Sequence, residues 1–331
     1  MKKSTHLFIS CLKSFYQIEV SSLIFIPVGA DIHASLFKIE STDQKIYFVK
    51  VRRGPFHDGS TEILELLRKN GVQHLIQPVK TIDGKLTQQT GDFTLIVYPF
   101  IQGQNGFSRS LSDNHWISLG KTLKQIHEIP LPPLFQKGIP RESFSPKSRN
   151  FVESLYKTKS VYKNDPISVS LWTFLQENKP AILQLINNAE KFSQKVCKSS
   201  LKYVLCHSDI HGGNVLISDQ DTFYIVDWDD AILAPKERDL MFIGGGVGNI
   251  WNQPYEELLF YQGYGQTDVD LALLAYYRCE RIIEDIAVYS EELLTRPTEN
   301  KDRSKMYKEF IDMFEANGVV DIAFRNAKDI T

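Results

Sequence analysis

The sequence predicts an α+β protein of two lobes, in which a small antiparallel sheet with one helix precedes a larger, mainly helical lobe. Its 331 residues exceed what one small core usually needs. Short apolar or alternating runs separated by turn residues fill the first hundred positions, and helical periodicity dominates afterwards. The change occurs where Pro99, Gly103 and Gly106 interrupt the pattern, so we expect the lobes at residues 1–102 and 103–331.

The first lobe is predicted to be a strand meander interrupted by one helix. Apolar residues between Leu7 and Phe15 have helical spacing, which predicts an amphipathic first helix. Residues 61–70 repeat that spacing and are followed by Gly71, a residue typical of helix ends. The expected strands are residues 23–28, 34–40, 45–51, 75–80 and 93–98.

The second lobe is predicted to be helical except for one short island of strands. A helix over residues 116–127 presents Trp116, Leu119, Leu123 and Ile126 on one face, and Pro130 follows it. Short strands are expected at 203–206, 215–218 and 223–226. Further helices are expected at 236–242, 255–261, 271–294 and about 302–314.

Composition excludes several classes of protein. Lys and Arg total 38 against 40 Asp and Glu, a net charge of −2, which favours neither nucleic acid nor an acidic membrane as partner. No segment has the roughly 20 apolar residues that cross a bilayer, so we expect a cytoplasmic protein. The four cysteines are too scattered for a zinc site or a disulfide framework and are expected to be reduced, mostly buried thiols: Cys11, Cys197, Cys206 and Cys279.

Three side chains in the strand island have the spacing that phosphoryl transfer requires. Asp209 and Asn214 lie five positions apart on a loop between two predicted strands, and Asp227 follows the next strand. Phosphoryl transfer needs a carboxylate to orient the acceptor hydroxyl and take its proton, together with oxygen ligands for Mg²⁺. Asp209 suits the first role, and Asn214 with Asp227 suits the second. Each residue alone is equally typical of an ordinary loop.

Residues 207–214 match the spacing of the catalytic loop of protein kinases. The usual arginine is replaced by Ser208, and the following His–Gly–Gly and Trp228 resemble the aminoglycoside phosphotransferase family instead. His207 and His211 lack a third ligand with zinc-site spacing, so they are expected to support the loop. Three further segments resemble that family: residues 225–240, 243–251 and 276–289.

This resemblance implies a bilobal protein-kinase-like fold and an ATP-dependent O-phosphotransferase that uses Mg²⁺. The acceptor that it implies is a hydroxyl of a cationic aminoglycoside or aminocyclitol antibiotic such as spectinomycin. Another small-molecule kinase of the same fold, acting on choline, methylthioribose, homoserine or a sugar, is the alternative. A kinase-like binding protein without activity is a third possibility, although Asp209, Asn214 and Asp227 are all present. Both a monomer and a homodimer are compatible with the sequence.

The same resemblance implies a set of nucleotide-binding residues in the first lobe. Lys50 ends an apolar run at the position of the kinase lysine that contacts the α- and β-phosphates, with Arg52 as its rival. Glu62 and Glu65 on the following helix could both hold that lysine, and Glu62 is preferred. Gly29 is the main glycine available for a phosphate loop. The linker expected to contact adenine consists of Tyr98, Pro99, Phe100 and Ile101.

Recognition of a cationic acceptor requires carboxylates, because ammonium groups pair with them. Asp229 and Asp230 follow the proposed metal ligand Asp227, with Trp228 between. Glu280 and Glu284 lie one turn apart on a predicted helix. The same helix carries Arg278 and Arg281. Structural pairing of these arginines with the two glutamates is as compatible with the sequence as substrate contact.

Overall fold

The computed structural model describes residues 2–26, 34–53, 59–157, 165–196, 201–295 and 303–328. Contacts divide the chain into two compact units. Unit 1 comprises Met1–Asn105 and Asn214–Ala231, and unit 2 comprises Gly106–Gly213 and Ile232–Thr331. The sequence predicts a single boundary at residue 102, whereas the chain returns to unit 1 for the short segment that carries Asn214 and Asp227.

Six strands and two helices make up the described part of the first third of the chain, and helices dominate the remainder. The elements before residue 110 are α1 (Lys2–Tyr16), β1 (Val20–Ile26), β2 (Ala34–Ser41), β3 (Ile46–Arg53), α2 (Gly59–Lys69), β4 (Gln88–Thr90), β5 (Phe93–Pro99) and β6 (Gly103–Asn105). Those up to residue 218 are α3 (Asp113–Glu128), α4 (Pro133–Gly138), α5 (Lys147–Leu155), α6 (Pro166–Glu177), α7 (Lys179–Val196), β7 (Val204–Cys206) and β8 (Val215–Ser218). The last are β9 (Phe223–Ile225), β10 (Ile232–Ala234), α8 (Glu237–Leu240), α9 (Pro254–Tyr264), α10 (Leu271–Ser290), α11 (Arg303–Asp312) and α12 (Val319–Lys328).

Unit 1 is built on a five-stranded antiparallel sheet of order β1-β2-β3-β5-β4. Helix α1 packs on one face of this sheet, with Phe8 and Leu12 buried against Val49 and Val51 of β3. Successive residues of a strand point to opposite faces. Lys50 therefore points away from this core, on the face where its neighbours Phe48 and Tyr98 pair across β3 and β5.

The expected strand over residues 75–80 is wrong. Leu75 forms an isolated bridge with Ile225, and no further strand pairing follows in this segment. Pro78 has no N–H to donate to a strand ladder. Only Val79, whose N–H donates to Val97 O over 2.7 Å, attaches the segment to the sheet. The segment therefore lies beside the sheet as an irregular connection.

Unit 2 is held together by long helices. Helix α10 contacts α5, α7, α8, α11 and α12 and carries fully buried residues such as Tyr277 and Ile283. Helices α3 and α9 approach each other closely at two glycines. A Cβ at Gly120 would lie 2.1 Å from Phe260 O, and one at Gly263 would lie 1.8 Å from Ile117 O, so only glycine fits at either position.

The predicted helix over residues 116–127 is confirmed within α3, whose apolar face is buried. Within the described ranges, no helix combines the length and the apolar character that a membrane crossing requires. Cys11, Cys206 and Cys279 are buried free thiols, as expected, whereas Cys197 lies outside the described residues.

Candidate active site

The loop that carries Asp209 follows β7 in unit 2 and is held by hydrogen bonds to a buried carboxylate. Asp239 is fully buried and accepts backbone N–H groups from His207 over 2.9 Å and from Ser208 over 2.6 Å. Ser208 has a φ of 70°, a left-handed conformation that non-glycine residues rarely adopt. The two hydrogen bonds hold this strained residue, so the backbone that delivers Asp209 is determined by Asp239.

Asp239 is in turn held by His127 and Tyr264. The Nε2 atom of His127 lies 3.0 Å from Asp239 Oδ2, and its Nδ1 atom lies 2.7 Å from Tyr264 Oη. A carboxylate can only accept, so Nε2 donates to Asp239, and Nδ1 shares a second hydrogen bond with the Tyr264 hydroxyl. Burial raises the pKa of Tyr264, which keeps its hydroxyl protonated. Asp239, His127 and Tyr264 thus form a buried chain of hydrogen-bonded polar groups, which we call the catalytic-loop anchor.

Cys206 lies beside this anchor. Ligand-type atoms of His127, Cys206 and Asp239 lie within 4.8 Å of one another. Burial raises the pKa of the Cys206 thiol, which favours the protonated form rather than the thiolate that binds metals. The thiol already donates weakly to Ala234 O at 3.7 Å. We therefore assign this cluster to the support of the loop.

The carboxylate of Asp209 is held at both oxygens within unit 2. Arg281 Nη1 donates to Oδ1, and His211 Nε2 lies 3.4 Å from Oδ2. His211 Nδ1 accepts the N–H of Gly213 at 2.9 Å, so the Nε2–H of the ring points to Asp209. Burial raises the pKa of Asp209, but the His211 hydrogen bond and the Arg281 charge outweigh it, and the pKa lies well below its usual range.

A second charged cluster lies in unit 1 around Lys50. Its Nζ atom contacts Asp227 Oδ1 at 3.1 Å and Asp229 Oδ2 at 2.6 Å, and Arg52 Nη1 contacts Asp229 Oδ2 at 2.9 Å. Burial lowers the pKa of Lys50, but the two carboxylates outweigh this and the pKa is raised, so the ammonium is retained. Asp227 remains accessible, with 55% of its side chain exposed.

Asn214 and Asp227 lie together at the open end of the β8–β9 hairpin. Val215 pairs with Ile225, and the N–H of Val226 donates to Asn214 O over 3.0 Å. Asp227 has a φ of 61°, and Trp228 Nε1 donates to Ile225 O over 3.2 Å, which fixes the chain on both sides of the carboxylate. One amide and one exposed carboxylate are hard oxygen ligands of the kind that Mg²⁺ prefers. This donor set fits that ion.

The chain matches a known enzyme family. The phosphotransferase enzyme family, known as APH, matches residues 25–275. The chain belongs to this family. The resemblance seen in the catalytic-loop sequence is thereby confirmed. No curated protein sequence matches the chain.

Solved structures similar to this phosphotransferase include spectinomycin phosphotransferase in complex with ADP and spectinomycin. The two chains are 44% identical with a TM-score of 0.90, and the match covers 97% of this chain and 98% of the other. An amicoumacin kinase in complex with AMP-PNP and Ca²⁺ is 16% identical, with a TM-score of 0.64 and full coverage of both chains. The choline kinase LicA from Streptococcus pneumoniae is 16% identical, with a TM-score of 0.55 and 98% coverage of both chains. The predicted kinase-like α+β fold is confirmed.

The predicted nucleotide-binding residues of the phosphotransferase are only partly brought together. Lys50 lies on the same sheet face as Tyr98, whose ring is 6.4 Å from that of Phe48. Phe100 follows β5, and its N–H donates to Ile46 O over 3.1 Å. Pro99 ends β5 and Ile101 follows Phe100, half-buried. Gly29 lies outside the described residues.

The predicted pairing of Lys50 with Glu62 is not formed among the described residues. Lys50 pairs with Asp227 and Asp229, and Glu62 is exposed on α2. The alternative, Glu65, pairs with Lys80 at 2.6 Å. The carboxylates that approach Lys50 thus come from residues 214–231 and not from α2.

The predicted acceptor carboxylates have four different environments. Asp229 contacts Lys50 and Arg52, as described above, and Asp230 is exposed. Glu284 is 38% exposed, 3.8 Å from Arg238 Nη2. Glu280 requires a correction, because it is only 4% exposed and lies 3.2 Å from Arg149 Nε. A buried carboxylate paired with a neighbouring helix is not available to a dissolved substrate, so Glu280 supports the packing of α5 on α10.

The two arginines of α10 also have partners other than those expected. Arg278 donates to Met241 O and Ile243 O and so fastens α10 to the segment after α8. Arg281 contacts Asp209 and, through Nε, Asp285 at 3.2 Å. The i, i+4 spacing of Arg281 and Asp285 was a sequence signal for that pair. The contact with Asp209, 72 positions away, had no such signal.

Proposed function

We propose that this phosphotransferase transfers the γ-phosphoryl group of ATP to a hydroxyl of a cationic aminocyclitol antibiotic, with spectinomycin as the acceptor. The observation that carries the proposal is the 44% identity, over 97% of the chain, to a spectinomycin phosphotransferase whose structure contains ADP and spectinomycin. Phosphorylation of the drug would inactivate it and confer resistance. The need for ATP favours a cytoplasmic location.

Asp209 is the residue that we assign to the acceptor hydroxyl. Its carboxylate stays ionised at any working pH because Arg281 and His211 lower its pKa. The new bond forms between the acceptor oxygen and the γ-phosphorus, and the bond from that phosphorus to the β–γ bridging oxygen breaks, releasing ADP. The hydroxyl proton passes to Asp209. A carboxylate of such low basicity acts chiefly by orienting the hydroxyl and takes its proton late, as expected for a loose transition state.

Lys50, Asn214 and Asp227 are assigned to the phosphates. Lys50 would exchange its contact with Asp227 for contacts with the α- and β-phosphates, and Asn214 and Asp227 would hold Mg²⁺. When bound, that ion neutralises charge on the transferred group. The exposed position of Asp227, 3.1 Å from the Lys50 ammonium, supports this division of roles. Asp229 we reassign to holding Lys50 and Arg52.

The adenine ring is assigned to the face of the sheet that carries Lys50. Phe48 and Tyr98 offer aromatic surface there, and the backbone of residues 98–101 offers donors and acceptors at the end of β5. Burial raises the pKa of Tyr98, so its hydroxyl remains neutral beside the nucleotide. Gly29 keeps its proposed contact with the phosphates.

The ammonium groups of the acceptor require carboxylates near Asp209. Asp285 and Glu284 are partly exposed on α10, the helix whose Arg281 contacts Asp209. Together with the exposed Asp230 they are the carboxylates that we assign to the acceptor, in place of the buried Glu280.

A coupled ADP-release assay tests this proposal. The panel contains Mg²⁺-ATP with spectinomycin, a second aminoglycoside, choline or methylthioribose, and a control without acceptor. We expect turnover with spectinomycin well above the rate without acceptor. Turnover restricted to choline or methylthioribose would establish the other small-molecule kinase, and no acceptor-dependent turnover would favour a binding protein.

A further inference from the structure

Arg281 is a charged residue in contact with the proposed reactive carboxylate, and its orientation is fixed from three directions. Its Nη1 atom donates to Asp209 Oδ1 and its Nε atom to Asp285, and its guanidinium lies 5.7 Å from the Phe242 ring. Asp285 lies one turn further along α10, so the helix itself sets the direction of the arginine side chain. An arginine held in this way has already lost its rotamer freedom, which makes it suited to position another group.

The contact has an electrostatic cost that a purely structural role does not explain. The proposed acceptor is cationic, and an arginine beside Asp209 repels it. The transferred phosphoryl group is anionic, however, and repels the Asp209 carboxylate as it approaches the hydroxyl. A guanidinium on Oδ1 reduces that second repulsion. Arg281 is a guanidinium, which keeps its charge at any working pH, and it contacts Asp209 directly, whereas the His211 ring also accepts the Gly213 N–H at Nδ1.

We propose that Arg281 is a positioning residue for phosphoryl transfer, which orients the Asp209 carboxylate and compensates its charge while the acceptor hydroxyl is bound. The carboxylate has about four lone-pair positions. Arg281 and His211 use one on each oxygen, and an acceptor hydroxyl takes one of the others. Arg281 thus limits the orientations of Asp209 without blocking it. This inference rests on the proposed role of Asp209.

Steady-state kinetics of Arg281→Gln test the proposal. Loss of the contact should lower kcat about tenfold or more, a loss typical of a preorganised donor at a reacting centre. The KM for ATP should not change, and the KM for the cationic acceptor should stay equal or fall, because a repelling charge has been removed. A residue with only a structural role would raise KM and lower thermal stability together with kcat.

Arg281→Lys and chemical rescue keep the test decisive if the Gln variant folds poorly. Lysine retains the positive charge but lacks the planar guanidinium that donates in two directions. The kcat of Arg281→Lys should therefore lie between those of the wild type and Arg281→Gln. Arg281→Ala should regain kcat in millimolar guanidinium chloride, because the small cation can occupy the vacated position. Arg325, which pairs with Asp321 four positions earlier on α12 and is exposed, provides the matched control. Arg325→Ala should keep wild-type kinetics with and without guanidinium.

Two results would overturn the assignment of Arg281. One is a kcat for Arg281→Gln within twofold of the wild type, and the other is an inactive Arg281→Ala, folded by its melting curve, that guanidinium does not rescue. Both are measured against an active wild-type enzyme with its best acceptor. An inactive wild type would instead refute the proposed function. If the best acceptor proves to be choline, the proposed antibiotic is wrong, while the Arg281 variants still report on Asp209.

Discussion

Substitution of Asp239 by asparagine tests how the loop carrying Asp209 is held. The fully buried carboxylate accepts the N–H groups of His207 and Ser208 and the Nε2–H of His127. An amide of the same shape keeps one oxygen but turns an NH₂ group toward at least one of these donors. That donor becomes unsatisfied, and the remaining bonds lose their charge assistance.

The hydrogen bonds of Asp239 give an order of magnitude for the loss of unfolding free energy. Hydrogen bonds to a charged group contribute about 1.5–3 kcal/mol each, and breaking a buried charged network costs about 3–5 kcal/mol. We therefore expect Asp239→Asn to lose about 4 kcal/mol of unfolding free energy. For a unit of about 200 residues, where about 1 kcal/mol shifts Tm by about 2–4 °C, the melting temperature should fall by roughly 10 °C.

Differential scanning calorimetry and kinetics together measure the effect. The melting temperature should fall as stated. Even well below it, kcat should drop, because the left-handed Ser208 before Asp209 loses the carboxylate that holds it. The matched control is Asp92→Asn, at an exposed position, which should change neither quantity. A shift in Tm below about 2 °C with normal kcat would refute the reasoning, since the estimated loss then has no counterpart.

Four further predictions concern individual charged residues. Asp209→Asn should keep the fold and ATP binding but lower kcat by orders of magnitude, and near-normal turnover would contradict its assignment. Lys50→Met should raise the KM for ATP far more than Arg52→Met does, and the reverse order would make Arg52 the phosphate ligand. Asp227→Ala should raise the Mg²⁺ concentration needed for half-maximal rate, and an unchanged requirement would remove it from the metal site. Burial raises the pKa of Glu280 from 4.5 to about 7, so its contribution to stability is present below pH 4.5 and lost as the pH rises toward 7. Glu280→Gln should therefore gain Tm relative to the wild type over that interval, and a pH-independent difference would contradict the raised pKa.

Much of the fold could be predicted because local patterns and packing agree. The strand meander of the first unit, helix α3 and the hairpin that carries Asn214 and Asp227 all have the periodicity of their final structure. The strand predicted at residues 75–80 is wrong because the prediction followed the apolar pattern alone. Pro78 lies within that pattern and has no N–H for strand pairing. Secondary structure was thus predictable where side-chain pattern and backbone hydrogen bonding favour the same state.

The site was predictable only as far as its residues are close in sequence. Asp209, Asn214 and Asp227 were proposed from loop and strand spacing, and their roles stay predictions. The partners that set their properties are distant: Arg281 lies 72 positions from Asp209, and Lys50 lies 177 from Asp227. The local sequence pairs Arg281 with Asp285 but gives no sign of its contact with Asp209, or of the backbone carbonyls that Arg278 holds. Such pairings depend on tertiary packing and so required the structure.

The most direct test of phosphoryl transfer to spectinomycin is mass spectrometry of the drug after incubation with the enzyme and Mg²⁺-ATP. We predict that spectinomycin gains the mass of one phosphoryl group, in equal amount to the ADP released, and that Asp209→Asn abolishes this gain. Spectinomycin recovered unmodified while ADP accumulates, or a phosphorylated product formed only from another acceptor, would contradict the account.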